Sequence, residues 1–372
     1  MKKMKVSLFL VSLLLLSLFA GFAVSIVKVN AASKLKIVID ISHGQGPTNG
    51  NWTGNKLQSL TADFEGNLTA KGYQVVWATQ LSDSVLADAQ FLFLGSVYGM
   101  NLTDSEVNTI VNWFRQGEKT IWFGSDSDFG GYRYIDDNAN NILRLIGSKI
   151  RVEPTAVQDP ISNCASAYRV RANVTNKQDA EVSTIISGVN ATKGVLFHGP
   201  TILYGNVNGT SVPLETTKIR NVYWVMKTGA SSTIVDSDPS ISPPIIHTDG
   251  QTGSYVIMAV EKYAGPNGNS KIIVTGENPY GGYQPMFTSD YYNYPLDGAK
   301  LVMNTVSWGV KVEYQSDKAT ADTTNLITQM QSTITTLRSD MDSLRTLLYI
   351  AIVIAVVGVV VGVVVFMKKL GK

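Results

Sequence analysis

The feature that most constrains this chain is an uncharged apolar segment near its C-terminus. Residues 347–367 contain no charged side chain. As a helix rising about 1.5 Å per residue they span about 30 Å, the thickness of a bilayer's hydrocarbon core. Three lysines in residues 368–372 follow and favour the cytoplasmic side for that end. We predict a transmembrane helix over 347–367 and a cytoplasmic tail over 368–372; the alternative is a buried helix of a soluble domain.

A second apolar segment lies near the N-terminus. Three lysines within the first five residues precede residues 6–27, which carry no charge, and small residues follow as far as Ala32. This layout predicts a secretory signal peptide over 1–31, cleaved after Ala31. The apolar run exceeds the usual signal core of about 7–15 residues, so an uncleaved N-terminal anchor is the alternative.

The charge of the chain is unevenly distributed. It has 31 basic and 29 acidic residues, a net charge of +2, but seven of the lysines lie in residues 1–31 and 368–372. The part between them has 24 basic groups against 29 acidic ones, a net charge of −5. Such a surface does not seek phosphate backbones, so we expect no nucleic-acid partner. The two terminal segments together predict a type I, single-pass cell-membrane protein with an extracellular head.

An exported head is open to modification at its asparagines and its lone cysteine. A single Cys excludes a disulfide framework and a Cys-rich metal site, so Cys164 is either a half-buried free thiol or an intermolecular link. Asn-x-Ser/Thr triplets indicate possible N-glycosylation. They occur at Asn51, Asn67, Asn101, Asn173, Asn190 and Asn208.

A heptad pattern precedes the transmembrane segment. Residues 315–325 are polar and indicate a linker, and apolar residues then recur at spacings of three and four. They are Ile327, Met330, Ile334, Leu337, Met341, Leu344 and Leu348. We predict a linker and coiled-coil stalk over 313–346; the alternative is one amphipathic helix lying on the head. With the Gly358/Gly362 pair in the membrane segment, the stalk predicts a homo-oligomer.

The head, residues 32–312, alternates predicted strands and helices. Thr103 and Glu106 form a capping box that begins its clearest helix, and Gly117 ends that helix. This rhythm predicts an α/β fold with a doubly wound, mostly parallel sheet. Residues 150–250 contain short β-like runs, which predict an antiparallel extension or an inserted β layer. The strands are predicted at 34–41, 73–79, 91–94, 120–123, 255–261 and 271–275, and the other helices at 57–71, 138–146 and 296–308, with 255–261 and 271–275 forming a hairpin.

In their order, these segments resemble the class I glutamine amidotransferase-like family, in an uncharacterised extracellular, membrane-anchored branch. The resemblance covers about residues 34–310 and implies an amidotransferase/flavodoxin-like sheet. Related domains occur in gliding-motility and ABC-transport-associated surface proteins. The segments that carry it are IVIDISHGQ, DAQFLFLGS, LTDSEVNTIVNWFRQGEKTIWFGSDSD, YVIMAVEKY, KIIVTGENP and NTVSWGV.

The resemblance does not imply amidotransferase activity. The family places a Cys nucleophile after the fourth strand, where this chain has Ser125 and Asp126. No His-x-Glu pair is present either, because His198 precedes Gly-Pro and His247 precedes Thr-Asp. A Cys nucleophile needs a thiolate and a neighbouring base, so we assign no catalytic residue.

Polar residues follow several predicted strands, where open α/β sheets bind ligands. Three interpretations remain open. In the first, they are ordinary loop residues. In the second, they bind a small polar ligand such as a sugar, helped by the tyrosines of 280–294. In the third, together with Asp40 and His198, they form a hydrolytic or metal site. Because no metal-ligand spacing and no nucleotide-binding motif occurs, we predict no metal and no cofactor. The candidate ligand-binding residues are His43, Gln45, Ser96, Ser125, Asp126, Asp128 and Glu277.

These observations favour a non-catalytic cell-surface protein whose head binds a sugar or a surface protein, or contributes to envelope structure. Two alternatives are an extracellular hydrolase acting on glycan or peptide, and a receptor subunit of an ABC-transport or motility complex. A hydrolase requires at least two acid or base side chains within hydrogen-bond reach of each other in one cleft.

Overall fold

The computed structural model describes most of the head and the C-terminal helix. The described residues are 34–44, 55–97, 101–129, 134–177, 179–240, 243–281, 285–311 and 313–370. The predicted signal peptide, the candidate Gln45 and the sequon Asn51 lie outside them. The helices are α1 (Asn55–Ala70), α2 (Asp83–Leu86), α3 (Asp104–Arg115), α4 (Tyr134–Leu145), α5 (Gly298–Val310) and α6 (Glu313–Leu370).

Eighteen strands are described, from β1 at the start of the head to β18 just before α5. The first nine are β1 (Lys36–Asp40), β2 (Gln74–Ala78), β3 (Ala89–Leu94), β4 (Thr120–Gly124), β5 (Ile150–Val152), β6 (Ala156–Gln158), β7 (Arg169–Ala172), β8 (Val174–Thr175) and β9 (Val195–His198). The others are β10 (Leu203–Val207), β11 (Thr210–Pro213), β12 (Val222–Lys227), β13 (Ser232–Val235), β14 (Thr252–Gly253), β15 (Val256–Ala264), β16 (Ser270–Thr275), β17 (Asp290–Tyr291) and β18 (Tyr294–Pro295).

The head is built on one mixed sheet of eight strands, in the order β2-β1-β3-β4-β16-β15-β12-β8. The first five strands are parallel to one another, and β15, β12 and β8 extend the sheet by antiparallel pairing. This confirms an α/β fold with a large, mostly parallel sheet. β15 and β16 form the expected antiparallel pair.

The sheet is covered on both faces because its central strands alternate their side chains between two cores. On one face, Phe91, Phe93 and Trp122 pack with Phe64 of α1 and Val306 of α5. The neighbouring positions face the other way and pack against α3 and α4. Side chains of a strand point to opposite faces in turn, so a continuous apolar strand indicates a sheet buried on both sides. The second core includes Leu92, Leu94, Ile121, Phe123, Ile110, Phe114 and Ile142.

Helix α3 begins as the sequence predicts. The Thr103 hydroxyl accepts the Glu106 N–H, and the Glu106 carboxylate accepts the Thr103 N–H at 2.9 Å. After the helix, Gly117 has a φ of +84°, a left-handed conformation that glycine adopts without steric cost. Both features fix α3 against the sheet, with its N-terminus close to the end of β1.

The β-rich segment between residues 150 and 250 divides into two kinds of structure. β8 and β12 extend the main sheet, while the other strands form small sheets of their own. These are the sheet β11-β10-β5, the sheet β14-β13-β6 and the pair β7-β9. Both expected forms, an extension and an added β layer, are therefore present.

The C-terminal segment is one helix, α6, which includes residues 315–325. The residues predicted as a linker are thus helical, and their Gln, Lys and Ala side chains are compatible with helix, while the linker itself stays a prediction. Within α6, residues 330–362 are long and apolar enough to cross a membrane, and no part of that span is buried in the head. The helix is compatible with the transmembrane segment expected at 347–367. Coiled-coil pairing of the heptad positions stays a prediction.

Gly276 precedes the candidate residue Glu277 and has no room for a side chain. A Cβ at this position would lie 2.0 Å from the carbonyl oxygen of Thr201, which is backbone and cannot turn away. We expect Gly276→Ala to lower the free energy of unfolding by at least about 2 kcal/mol. Denaturant unfolding of the purified protein measures this.

Gly66 provides the matched control. It lies inside α1, and an added Cβ would meet no atom within 4 Å. We expect Gly66→Ala to raise the free energy of unfolding by up to about 1 kcal/mol, because alanine loses less backbone entropy in a helix. Equal effects of the two substitutions would contradict the described contact between Gly276 and Thr201.

Candidate functional site

The residues that follow β1, β3, β4 and β16 lie at one edge of the sheet, which we call the carboxyl edge. These four strands are parallel, so their C-terminal ends meet there. The edge therefore brings together the candidates of the four strands. Within this edge, the candidate ligand-binding residues form separate groups, each with its own hydrogen-bond partners.

The gap between β1 and β3 is the point at which the strand order reverses, where such sheets bind ligands. Here the Tyr280 side chain lies between the two strand ends. Its hydroxyl accepts the N–H of Gly95 at 3.0 Å and donates to the carbonyl oxygen of Asp40. The side chain is 2% exposed, and burial raises its pKa well above the usual range. The protein's own tyrosine thus occupies this position.

His43 is held in a network at the end of β1. Its Nδ1 lies 2.6 Å from the Ser42 hydroxyl, and its Nε2 lies 3.3 Å from the Glu106 carboxylate. Interaction with Asp40 is the largest cause of a raised pKa, and Glu106 adds to it. Because Glu106 also caps α3, this histidine joins β1 to the start of that helix.

Three buried acids cluster where β4 and β16 end. Glu277 accepts the backbone N–H groups of His198 and Asn278, both at 2.6 Å. Burial, together with the charge of Asp126, raises the pKa of Glu277 well above its usual range. Burial likewise raises the pKa of Asp126 to about 8 and that of Asp136 well above normal. With a pKa of about 8, Asp126 holds a proton at neutral pH, and burial disfavours the charged forms of Asp136 and Glu277.

Ser96, Ser125 and Asp128 bond to neighbouring parts of the chain. Ser96 donates to the backbone oxygen of Ser125 at 2.8 Å, and Ser125 donates to Asp136 at 2.7 Å. Asp128 accepts the backbone N–H groups of residues 237 and 238. A serine nucleophile needs an adjacent base, and burial disfavours the charged, basic form of the Asp136 carboxyl beside Ser125.

His198 comes close to Glu277, and its backbone N–H donates to that carboxylate at 2.6 Å. The imidazole makes edge contacts with the rings of Tyr168 and Tyr291, at centroid distances of 5.4 and 5.8 Å. Burial, and then the charge of Arg169, lowers the pKa of His198 to about 4. Its ring is therefore neutral and packed among aromatic side chains.

Cys164 is fully buried and unpaired. It is thus a free thiol, as expected, but fully buried instead of half-buried, and burial raises the pKa of the thiol to about 11. Among the described sequons, Asn173 is half-buried and its amide lies 3.5 Å from the Ser162 hydroxyl. The exposed ones are Asn67, Asn101, Asn190 and Asn208.

A buried ion-paired histidine escaped the sequence analysis. His247 Nδ1 lies 2.6 Å from Glu153 and its Nε2 lies 3.5 Å from Glu215. Although burial lowers the pKa of His247, its hydrogen bonds to these two acids outweigh burial and raise the pKa to about 9. The residues are about 94 and 32 positions apart along the chain. No local motif indicates such a group, which fixes a loop to the end of β5.

Within the described ranges, no group of three or more His, Cys, Asp or Glu side chains is arranged to hold a metal ion. The tyrosines of residues 280–294 also divide. Tyr280 is inside the protein, Tyr291 is buried, and Tyr292 is exposed, while Tyr283 lies outside the described residues. Only the exposed part of this stretch can contact a ligand.

No family model matches the chain, and no curated protein matches it. Among solved structures, the head is similar to the N-terminal domain of mmIFT52, with 14% sequence identity and a TM-score of 0.47. The match covers 74% of this chain and 97% of that one. Because no family model matches the chain, the resemblance to the glutamine amidotransferase-like family is wrong. Its basis was the order of the segments and their local pattern.

The buried acids make the stability of the head depend on pH. Asp126 has a pKa of about 8 in the folded protein and an ordinary value near 4 when unfolded. Between these values the folded state binds more protons, so the free energy of unfolding decreases as pH rises from about 4 to about 8. We expect Asp126→Asn to flatten this dependence and to stabilise the head above pH 8. Denaturant unfolding at several pH values measures both effects.

Ser127 offers a control beside Asp126. Ser127→Ala removes no titratable group, but it removes a side-chain hydrogen bond that lowers the pKa of Asp126, so we expect the decrease in stability to remain and to extend to higher pH. A slope that Asp126→Asn leaves unaltered would show that this carboxyl titrates at its ordinary value.

Proposed function

We propose that this chain is a non-catalytic, membrane-anchored protein whose α/β head binds a partner at the cell surface or contributes to envelope structure. One observation carries the proposal: Tyr280 fills the switch-point gap between β1 and β3. A small ligand cannot enter that gap unless the side chain and both of its hydrogen bonds are displaced. Recognition must then use the outer surface of the head.

The other carboxyl-edge residues support this proposal because they stabilise the fold. His43 joins β1 to α3, and Asp128 and Glu277 accept backbone N–H groups. These hydrogen bonds use most of the capacity of the two carboxylates inside the protein, although the Oδ1 atom of Asp128 has no hydrogen-bond partner within the described residues. Catalysis would require at least part of this network to open.

The terminal segments support an extracellular head on a type I anchor. Helix α6 contains the apolar span, and lysines follow it in the sequence. Four described sequons are exposed, as glycosylation of an exported head requires. Along α6, the heptad side chains from Met330 to Leu348 are all exposed, which supports a homo-oligomer through the stalk. If cross-linking shows that the full-length protein is strictly monomeric, the homo-oligomer is ruled out.

A second candidate, an extracellular hydrolase acting on glycan or peptide, is favoured by one observation. Asp126 and Glu277 are neighbouring acids whose pKa values are both raised, as in carboxylate pairs that share a proton. A protonated acid at neutral pH can act as a general acid. The pair is enclosed by β9 and β16, however, and a substrate would have to displace them.

The double variant Asp126→Asn/Glu277→Gln distinguishes the two candidate functions. We expect full-length wild type and this variant to bind isolated cell envelopes equally, because neither carboxylate lies on the outer surface. We also expect neither protein to release reducing sugars or new amino groups from the envelopes. Hydrolysis by wild type that the double variant loses would contradict the proposal and establish the hydrolase.

The buried Cys164 makes the membrane orientation directly measurable. A membrane-impermeant maleimide will not label this thiol in the folded protein, because it is enclosed and its pKa is about 11. We expect Lys218→Cys, at an exposed head position, to be labelled on intact cells. Lys372→Cys, in the tail, serves as the matched position and should react only after the membrane is permeabilised. The reverse pattern would contradict the type I orientation.

A further inference from the structure

Strand β7 presents two arginines on one face. Val170 and Ala172 point into the core, while Arg169 and Arg171 alternate with them and are only partly buried. Side chains at alternate strand positions lie on the same face, about 6.7 Å apart. The two guanidinium groups therefore form a pair with a defined spacing.

Tyrosines hold both guanidinium groups in place. The Cζ of Arg169 lies 4.1 Å from the ring centroid of Tyr292 and 4.9 Å from that of Tyr168. The Cζ of Arg171 lies 5.4 Å from the centroid of Tyr294. Stacking on aromatic rings orients a guanidinium and reduces the entropy it loses on binding. We call this the arginine–tyrosine surface; it comprises Tyr168, Arg169, Arg171, Tyr291, Tyr292 and Tyr294.

Neither arginine pairs with an acid within the described part of the chain, although the head is rich in acidic residues. The Nε atoms of both have no hydrogen-bond partner there. Their neighbours are aromatic rings, and the ion pairs within the described part of the head use lysine or histidine. A planar, oriented guanidinium without a counter-ion is suited to bind a carboxylate through two parallel hydrogen bonds.

The surface also carries exposed aromatic and apolar groups. Tyr168 is 39% exposed, Tyr292 is 53% exposed, and Ile161 is 78% exposed. Ile161 precedes Ser162, which donates to the backbone oxygen of Arg171 and so lies beside β7. Tyrosine and arginine are enriched among the residues that dominate protein–protein binding energy, and an exposed apolar neighbour excludes water around them.

The backbone at Tyr292 is held in an unfavourable conformation. Tyr292 and Asn293 form the two-residue turn between β17 and β18, and both have positive φ values, +49° and +64°. Asparagine and glycine favour this turn, whereas tyrosine does not. A bulky residue here costs stability, and in exchange it brings an exposed ring against Arg169.

We propose that the arginine–tyrosine surface binds an acidic, extended segment of a partner protein. Carboxylates on alternate residues of an extended segment repeat at about 6.7 Å, the spacing of Arg169 and Arg171. The exposed rings of Tyr168 and Tyr292 pack against the segment on either side of the ion pairs. This inference specifies the partner class of the proposed binding function. It rests on that function in one respect, which is that the partner lies on the same side of the membrane as the head.

The test uses full-length protein in detergent micelles and a fluorescent peptide of alternating glutamate and threonine. Fluorescence anisotropy should show binding that weakens as salt increases from about 0.05 M to about 0.5 M. Arg169→Gln and Arg171→Gln should each weaken binding about tenfold. Arg169→Lys should also weaken it, because an ammonium group lacks the planar pair of donors. Arg220→Gln, at an exposed position away from β7, is the matched control and should bind like wild type.

Tyr292→Asn separates recognition from folding. Asparagine favours the turn, so this variant should unfold at the same or a higher denaturant concentration while binding the peptide less tightly. Equal peptide binding by wild type and the Arg169→Gln/Arg171→Gln variant would overturn the proposal. So would equal binding of a peptide in which glutamine replaces glutamate. Arginine-dependent binding of polygalacturonate in place of the peptide would reassign the surface to an anionic glycan.

Peptide binding in micelles does not depend on membrane orientation or on envelope binding. If maleimide labelling places the head inside the cell while the peptide still binds, the extracellular function fails and the assigned surface stands. If the full-length protein binds envelopes but does not bind the acidic peptide, the proposed function stands and the assignment of the arginine–tyrosine surface fails.

Discussion

The hydroxyl of Tyr280 bridges two strands that end beside each other at the reversal of the sheet. It accepts an N–H from Gly95 and donates to the oxygen of Asp40, far away along the chain. Its ring lies parallel to Phe64, with centroids 6.3 Å apart, and edge-on to Phe93. One side chain therefore connects the segment after β16, the first core and the carboxyl edge. Opening the gap for a ligand would break these contacts together, which makes the edge a structural element.

Charge is handled differently on two parts of the head. At the carboxyl edge, burial raises the pKa values of Asp126, Asp136 and Glu277, so their charged forms, which would repel one another, are disfavoured. On β7, Arg169 and Arg171 cannot lose their charge, and aromatic rings support it where no acid does. Buried acids next to one another lower stability as pH rises, whereas stacked arginines remain charged and available to a partner. Only the stacked arginines of β7 are charged without a change in pH, so only they can bind an oppositely charged partner.

Local patterns predicted many of the helices and strands, but not the contacts that join distant parts of the chain at the carboxyl edge. The apolar strand β3, the capping box at Thr103 and Glu106, and the pair β15–β16 follow from periodicity and turn chemistry, which act over a few residues. The closure of the gap by Tyr280 and the His247–Glu153 pair join positions about 185 and 94 residues apart. No spacing rule reaches that far. The family resemblance failed for a related reason, since many unrelated chains share an alternation of strands and helices.

A surface that binds through two arginines and a few tyrosines gives modest affinity, because association also costs translational and rotational freedom. The affinity increases if the exposed heptad side chains of α6 pair two chains and so bring two heads together. Two arginine–tyrosine surfaces on one anchor would convert the second contact into an intramolecular one, at an effective concentration set by the stalk. If α6 crosses a membrane, attachment would add to the effect by confining both partners to the same surface layer, and weak single contacts would then be sufficient.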